Sequence, residues 1–174
     1  MRRVESLAIT LVGHDRPGII ARTAEVLSAY GMNLEYSSMT LLRGHFAMTL
    51  ICVGQTPADE VAQALAAAMD PSLAVTVRAV PDELDSQPVG SSYVVTVHGA
   101  DRLGIVARLA GTIAAAGGNI TDLTTRLTGE LYVLLAEVDL PPAADVTALR
   151  TALAATSREL GVESTLRQVE NDAL

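Results

Sequence analysis

Several residue types are scarce in this chain of 174 residues, and each scarcity excludes a class of protein. A single cysteine, Cys52, allows no internal disulfide and no metal site built from several thiolates. Tryptophan is absent and aromatic residues make up only 3% of the chain, so the core must be aliphatic. Lys and Arg total 12 against 20 acidic residues, and the resulting net charge of −8 disfavours direct binding to nucleic acid.

Signals for membranes, metals and catalysis are also missing. No apolar run approaches the roughly 20 residues of a membrane span, and no apolar core of a signal peptide follows Met1, so we expect a soluble, cytoplasmic protein. His14, His45 and His98 lack the spacing of a metal motif, and no phosphate-binding loop or nucleophile elbow occurs. The sequence therefore predicts no catalytic residue, no metal site and no cofactor, and it predicts that Cys52 is a buried, inert thiol.

The chain contains an internal repeat, and a repeat sets the domain organisation. Residues 15–19 (Asp-Arg-Pro-Gly-Ile) return as residues 101–105 (Asp-Arg-Leu-Gly-Ile), and Asn33 returns as Asn119, in each case 86 residues later. Of the 24 residues from 10 to 33, twelve are identical to their counterparts in the second copy. Both copies thus retain the end of a first strand, a first helix and the entry to a second strand.

Hydrophobic periodicity predicts the order strand, helix, strand, strand, helix, strand in each copy. Asp15 is placed to cap the first helix, Pro17 fits its first turn, and Gly31 ends it in a left-handed conformation. This order is that of an α+β, ferredoxin-like βαββαβ unit, with both helices on one face of a four-stranded antiparallel sheet. The second copy is predicted to have its first strand at residues 93–99 and its helices at 103–116 and 143–160. We predict two such domains and a polar linker, at residues 1–81, 93–174 and 82–92, respectively.

The third strand of each copy is apolar on both faces. Phe46, Met48, Leu50 and Cys52 form one row, which we expect to lie under the helices. The opposite row is also mostly apolar, whereas an open sheet with one wet face should alternate more cleanly. We therefore expect the second face to be at least partly covered, by another sheet or by another subunit.

The repeated turn has the chemistry of a binding site. The first N–H groups of a helix have no partner within the helix and carry partial positive charge, which suits a carboxylate or phosphate. Gly18 lets a ligand approach the backbone, and the amide of Asn33 both donates and accepts hydrogen bonds. A helix of about 14 residues is roughly 20 Å long, so Asn33 cannot reach Gly18 of its own copy. A complete site requires two copies packed side by side and antiparallel.

A purely structural interpretation of the same residues stays open at this point. Asp15 is then only a helix cap, Gly18 a point of close packing, and Asn33 a residue that adopts the backbone after a glycine cap. Retention in both copies favours a site, but a gene duplication retains structural features as well. The pattern alone leaves the two interpretations balanced.

The turn and the Gly-x-Asn of residues 31–33 resemble, in both copies, the ACT domain, a regulatory module that binds amino acids. A tandem pair without another domain is similar to the glycine cleavage system transcriptional repressor group. The resemblance implies that a small amino acid such as glycine or serine binds between paired domains. In that arrangement the backbone of the turn holds the carboxylate of the ligand, and the neighbouring domain supplies the asparagine. The implied ligand-binding residues are Asp15, Arg16, Pro17, Gly18, Ile19, Asn33, Asp101, Arg102, Leu103, Gly104, Ile105 and Asn119.

Two departures separate the copies, since Leu103 replaces the usual proline and Ala100 replaces His14. The second turn is therefore expected to be looser or to suit a different ligand. The first functional hypothesis is a non-catalytic protein that senses an amino acid and signals to a protein partner, such as a transcription regulator or an enzyme. We expect this protein to be a homo-oligomer, specifically a homodimer. We expect it to contact neither a membrane nor nucleic acid directly.

Two other functions are compatible with the sequence. The turn also resembles the N-terminal ACT domain of formyltetrahydrofolate deformylase, which makes a regulatory subunit or split fragment of a related enzyme the alternative. A ligand-free oligomerisation module is the third hypothesis. A ligand that binds only the folded state must raise its stability, and such a module predicts no change with any amino acid.

Overall fold

A computed structural model describes residues 4–81 and 90–169, which fall into two compact units. Each unit has the predicted order of elements. The first unit contains β1 (Glu5–His14), α1 (Ile19–Ala29), β2 (Asn33–Leu42), β3 (His45–Gly54), α2 (Ala58–Ala68) and β4 (Ala74–Val80). The second unit contains β5 (Ser91–Ala100), α3 (Ile105–Ala115), β6 (Asn119–Thr128), β7 (Leu131–Leu140), α4 (Val146–Leu160) and β8 (Val162–Gln168).

Each unit has one four-stranded antiparallel sheet, in the order β2-β3-β1-β4 or β6-β7-β5-β8. The register of β1 and β3 pairs Glu5 with Gly54 at one end and His14 with His45 at the other. Arg43 and Gly44 connect β2 to β3 with φ angles of 49° and 80°, as a two-residue hairpin turn requires. The predicted α+β, ferredoxin-like fold is confirmed for both copies.

The core of each unit lies between the sheet and the helices. In the first unit Leu7, Ile9 and Leu11 of β1 alternate inward and are fully buried, beneath Val61 and Leu65 of α2. The inward row predicted for β3 is confirmed: Phe46, Met48, Leu50 and Cys52 are all buried. The second unit repeats this arrangement with Val95, Val97, Leu109, Leu134, Val138 and Leu153.

The opposite face of β3 and the edge strand β2 are more open. On that face His45 and Thr49 are exposed, whereas Ala47 and Ile51 are half-buried. All ten residues of β2 are exposed, including the large apolar side chain of Met39. The expected covering of the second face stays a prediction.

The start of α1 differs from the sequence-based prediction. Asp15 does not cap the helix, and Pro17 lies in the turn before it. Gly18 is the N-cap residue, because β1 continues to His14 and the backbone N–H of Asp15 still donates to the carbonyl of Gly44 at 3.0 Å. The chain therefore needs four turn residues before it can begin a helix, and α1 has 11 residues rather than about 14.

Boundaries in the second unit also differ. α3 begins after Gly104, as α1 begins after Gly18, and α4 begins at Val146 because the side chain of Asp145 accepts the N–H of Ala148 at 2.9 Å. Ser91 and Ser92, which the sequence places in the linker, pair with β7 as part of β5. Their polar side chains do not end the strand, because backbone groups form the hydrogen bonds between β5 and β7. Residues 82–89 of the predicted linker lie outside the described residues.

The helix ends agree with the prediction. Gly31 has a φ of 67°, its N–H donates to the carbonyl of Ser28, and the N–H of Met32 donates to that of Leu27. This is the pattern of a Schellman motif, and Gly117 repeats it at the end of α3. Within the described residues no helix is long and apolar enough to cross a membrane.

Candidate functional site

The glycines that end the two repeated turns have the same backbone conformation. Gly18 adopts φ 94° and ψ −4°, and Gly104 adopts φ 87° and ψ 4°, so both lie in the left-handed region. Each is a helix N-cap whose carbonyl accepts the N–H four residues later, from Arg22 at 2.9 Å and from Arg108 at 3.0 Å. Neither helix start is capped by a side chain among the described residues. The first N–H groups of both helices are therefore not satisfied by a cap.

These glycines are required by the backbone and not by packing. A Cβ added at Gly18 or Gly104 would meet no atom within 4 Å, whereas one added at Gly13 would lie 2.9 Å from the side chain of Leu73. The interpretation of Gly18 as a point of close packing is therefore wrong, although it does apply to Gly13. The open space above both turns leaves room for a ligand to approach the backbone.

The side chains of the turns divide into exposed and buried groups. Asp15, Arg16 and Pro17 are exposed, as are their counterparts, and Leu103 is 101% exposed. Ile105 is only 2% exposed and packs in the core of its unit. It anchors the start of α3, so only its backbone faces the turn.

Arg16 ties the first turn to the loop between α2 and β4. Its guanidinium forms an ion pair with one carboxylate oxygen of Asp70. The other oxygen accepts the backbone N–H of Ser72 at 2.9 Å and its hydroxyl at 2.6 Å. These two hydrogen bonds, together with the charge of Arg16, lower the pKa of Asp70 below its ordinary value.

The second turn has no such anchor. The guanidinium of Arg102 lies 3.4 Å from the position that a Cβ of Gly161 would occupy. Arg102 forms no ion pair within residues 4–81 and 90–169. Asp70 and Ser72 are not among the residues predicted from the sequence. Their Asp-x-Ser spacing is typical of a local side-chain turn and is the signal that indicates a rigid loop here.

Both asparagines are far from the turns of their own units. Asn33 is the exposed first residue of β2 and pairs with Val53, which in turn pairs with Ser6. The turn follows His14, eight residues further along β1, which corresponds to about 26 Å. Asn119 pairs with Asp139 in the equivalent position of β6. The predicted separation of asparagine and turn within one copy is confirmed by this register.

Three grooves formed by the described residues lie away from the turns. One groove lies between α1 and α2 and includes Arg22, Glu25 and Tyr30 among its lining residues. A second lies between α3 and α4, and a third between α4 and β8. None of these three grooves, all formed by described residues, is lined by any of the twelve predicted ligand-binding residues. Each turn is an open surface on its own unit.

Fold and turns together define a class, that of tandem ferredoxin-like domains in which a left-handed glycine begins the first helix of each copy. The ACT domain family matches this chain at residues 5–78 and 91–167. The chain therefore belongs to the ACT domain family, and the resemblance seen in the sequence is confirmed for both copies.

Shorter relatives match about two fifths of the chain. A UPF0237 protein from Methanosarcina mazei is 32% identical over 74 residues, which cover 42% of this chain and 80% of that protein. A UPF0237 protein from Streptococcus pneumoniae serotype 4 is 36% identical over 70 residues, 40% of this chain and 80% of the relative. Each relative thus corresponds in length to one of the two copies.

Two solved structures match the whole tandem. An unknown protein from Galdieria sulphuraria is 27% identical, with a TM-score of 0.82, covering 97% of this chain and 100% of the other. A protein described as a candidate glycine cleavage system transcriptional repressor is 20% identical, with a TM-score of 0.74 and coverage of 97% and 99%. At that identity the second likeness shows the fold alone.

Proposed function

We propose that this chain is a non-catalytic regulatory protein that binds a small amino acid between ACT domains of two chains. Ligand binding would then change how the homodimer contacts a protein partner, such as a transcription regulator or an enzyme. The observation that carries the proposal is the separation of Asn33 from the turn at Gly18, about 26 Å along the sheet. Two halves of a site at opposite ends of one domain require a second domain to complete it.

The edge strand β2 offers a geometry that completes the site. Its ten residues are exposed, and an exposed edge strand is a template for pairing with another chain. If β2 pairs antiparallel with β2 of a second copy, Asn33 of one chain lies at the sheet end where its partner has Leu42. The partner's turn lies at that same end of its sheet. The reason is that the backbone N–H of Asp15, the first residue of the turn, is hydrogen-bonded to Gly44 in the hairpin that follows Leu42. A two-fold interface of this kind forms two identical sites.

The chemistry of the turn suits the α-carboxylate of an amino acid. The uncapped N–H groups at the start of α1 favour an anion, and Asn33 can accept from the ammonium group and donate to the carboxylate. Backbone groups recognise what all amino acids share, so side-chain size is limited by the space at the interface. The fold shared with a candidate repressor of the glycine cleavage system makes glycine and serine the first ligands to test.

Isothermal titration calorimetry with the twenty amino acids tests the proposal. We expect one or more small amino acids to bind, and Asn33→Ala and Asn119→Ala each to remove or weaken binding. Thr147→Ala, an exposed substitution on α4 outside both candidate sites, is the matched control. A ligand at 100 times its Kd should also stabilise the fold by about 2.7 kcal/mol. If no amino acid gives a heat of binding or shifts Tm, the result would instead support the ligand-free oligomerisation module.

A further inference from the structure

A pair of histidines lies beside the first turn and takes no part in the proposed amino-acid site. His14 is the last residue of β1 and His45 the first residue of β3, and the two are directly paired across the strands. Paired residues of antiparallel strands project to the same face of the sheet. Their rings are stacked, with centroids 5.2 Å apart and an interplanar angle of 29°, and both residues are exposed.

We propose that His14 and His45 form a binding site for a late first-row divalent metal ion such as Ni²⁺, Cu²⁺ or Zn²⁺. Neutral imidazole suits these ions. A tetrahedral Zn²⁺ ion held at about 2.1 Å by one nitrogen of each ring places the ring centroids about 5 Å apart. The roughly 90° angle of a square-planar Cu²⁺ or Ni²⁺ ion brings the centroids to about 4.6 Å. The observed separation of 5.2 Å matches the tetrahedral distance and exceeds the square-planar one by only about half an ångström. Because both side chains are exposed, ring rotation can direct one nitrogen of each toward a shared ion.

The site has two protein ligands and open coordination positions. Within residues 4–81 and 90–169 no group of three or more His, Cys, Asp or Glu side chains converges. Cys52 is buried in the core and belongs to the inward row of β3, opposite to the face that His45 occupies. The remaining positions are therefore filled by water or by a small chelating molecule, which makes the ion exchangeable rather than structural.

The second unit provides an internal comparison. The pair equivalent to His14 and His45 is Ala100 and Leu131, which have the same register between β5 and β7 but no metal-binding atom. The third histidine, His98, lies on β5 with its Nε2 3.2 Å from a carboxylate oxygen of Glu163. The proposal thus assigns one metal ion to each chain, on the first unit only.

Titration of the untagged full-length chain with Cu²⁺, followed by NMR of the histidine ring protons, tests the site. Three histidines give few ring signals, and substoichiometric paramagnetic Cu²⁺ should broaden those of His14 and His45 together before that of His98. In calorimetry with Ni²⁺, His14→Ala and His45→Ala should each weaken binding by roughly tenfold or more, because either change removes the chelate. His98→Ala should leave the affinity unchanged.

A gain-of-function variant tests whether the loss of Ni²⁺ affinity in the alanine variants is an indirect effect. The double substitution Ala100→His and Leu131→His rebuilds the pair at the equivalent register of the second unit, and it should add a second equivalent of bound Ni²⁺. Circular dichroism of each variant checks that the fold is retained. Equal Ni²⁺ affinity in the wild type and in His14→Ala and His45→Ala, or loss of binding in His98→Ala, would overturn the proposal. Amino-acid binding measured without metal is a separate readout.

Discussion

Arg16 and Asp70 form an ion pair that joins the first turn to the loop between α2 and β4. The hydrogen bonds from Ser72, with a smaller contribution from Arg16, lower the pKa of Asp70. A carboxyl whose pKa is lower in the folded than in the unfolded state stabilises the fold above its unfolded pKa. That stabilisation is lost as the pH falls through the folded pKa. Among the described residues Arg102 of the second turn forms no ion pair, so that turn has no equivalent contribution.

We therefore expect Asp70→Asn to lower Tm near neutral pH and to have no such effect in strong acid. The difference from the wild type should shrink as the pH falls through and below the ordinary carboxyl value of 3.8. Thermal unfolding at a series of pH values measures this difference. Asp122→Asn, on the exposed strand β6, controls for the removal of one negative charge. A difference that persists unchanged at the lowest pH would contradict the linkage.

Gly104→Ala should destabilise the second unit by about 1–2 kcal/mol, because an L side chain is strained in the left-handed region that Gly104 occupies. Gly111→Ala is the matched control, since Gly111 lies in the exposed interior of α3 with no atom within 4 Å of its Cβ position. It should stabilise the helix by about 0.8–1 kcal/mol. Urea unfolding measures both, and shifts of the same sign would refute the backbone argument.

Leu103→Pro should stabilise the protein by about 0.4–1 kcal/mol, because proline restricts the unfolded chain. Leu103 is fully exposed, and Pro17 occupies the equivalent position in the first turn, where the glycine that follows it has the same conformation as Gly104. The reverse substitution, Pro17→Leu, should lower stability by a similar amount. Urea unfolding of both variants checks the prediction, and a loss of stability in Leu103→Pro would show that the two turns differ in backbone after all.

Cys52 should resist alkylation in the folded protein. Its side chain is 0% exposed, and burial raises the pKa of its thiol from 9.0 to about 11. Since the thiolate is the nucleophile, a shift of that size reduces its fraction about 100-fold at neutral pH. Mass spectrometry after exposure to iodoacetamide should show one modification in urea and a far slower one in buffer. Equal rates in the two conditions would place Cys52 at the surface.

Lysine substitutions on β2 test the proposed pairing of edge strands. Met39 and Leu41 are 46% and 47% exposed in the single chain, so Met39→Lys with Leu41→Lys should cost the isolated domain little stability. Charges on an edge strand oppose its pairing, so sedimentation velocity should show a shift from dimer to monomer. Val169→Lys, at an exposed position after β8, should leave the dimer intact. A monomeric wild type, or a double variant that remains dimeric, would exclude this interface.

Local chemistry explains which predictions from the sequence succeeded. The alternation of Leu7, Ile9 and Leu11, and the glycine at position 31, act within a few residues of themselves, so they can be interpreted without knowing the fold. The start of α1 was misplaced because Asp15 continues the ladder through a bond to Gly44, a residue 29 positions later in the chain. An asparagine or aspartate before an apolar run is consistent with either a helix cap or such a turn.

The sequence by itself determined the two-domain architecture, the ACT family and the identity of both turns, because a repeat and a hydrophobic period are properties of order along the chain. Only the tertiary structure decided how the two turns differ: Arg16 forms an ion pair with Asp70, whereas Arg102 lies near Gly161 and forms no ion pair among the described residues. It also brought His14 beside His45. Such pairings depend on the register between strands and on loop length, which hydrogen bonds across the sheet establish and no local pattern encodes.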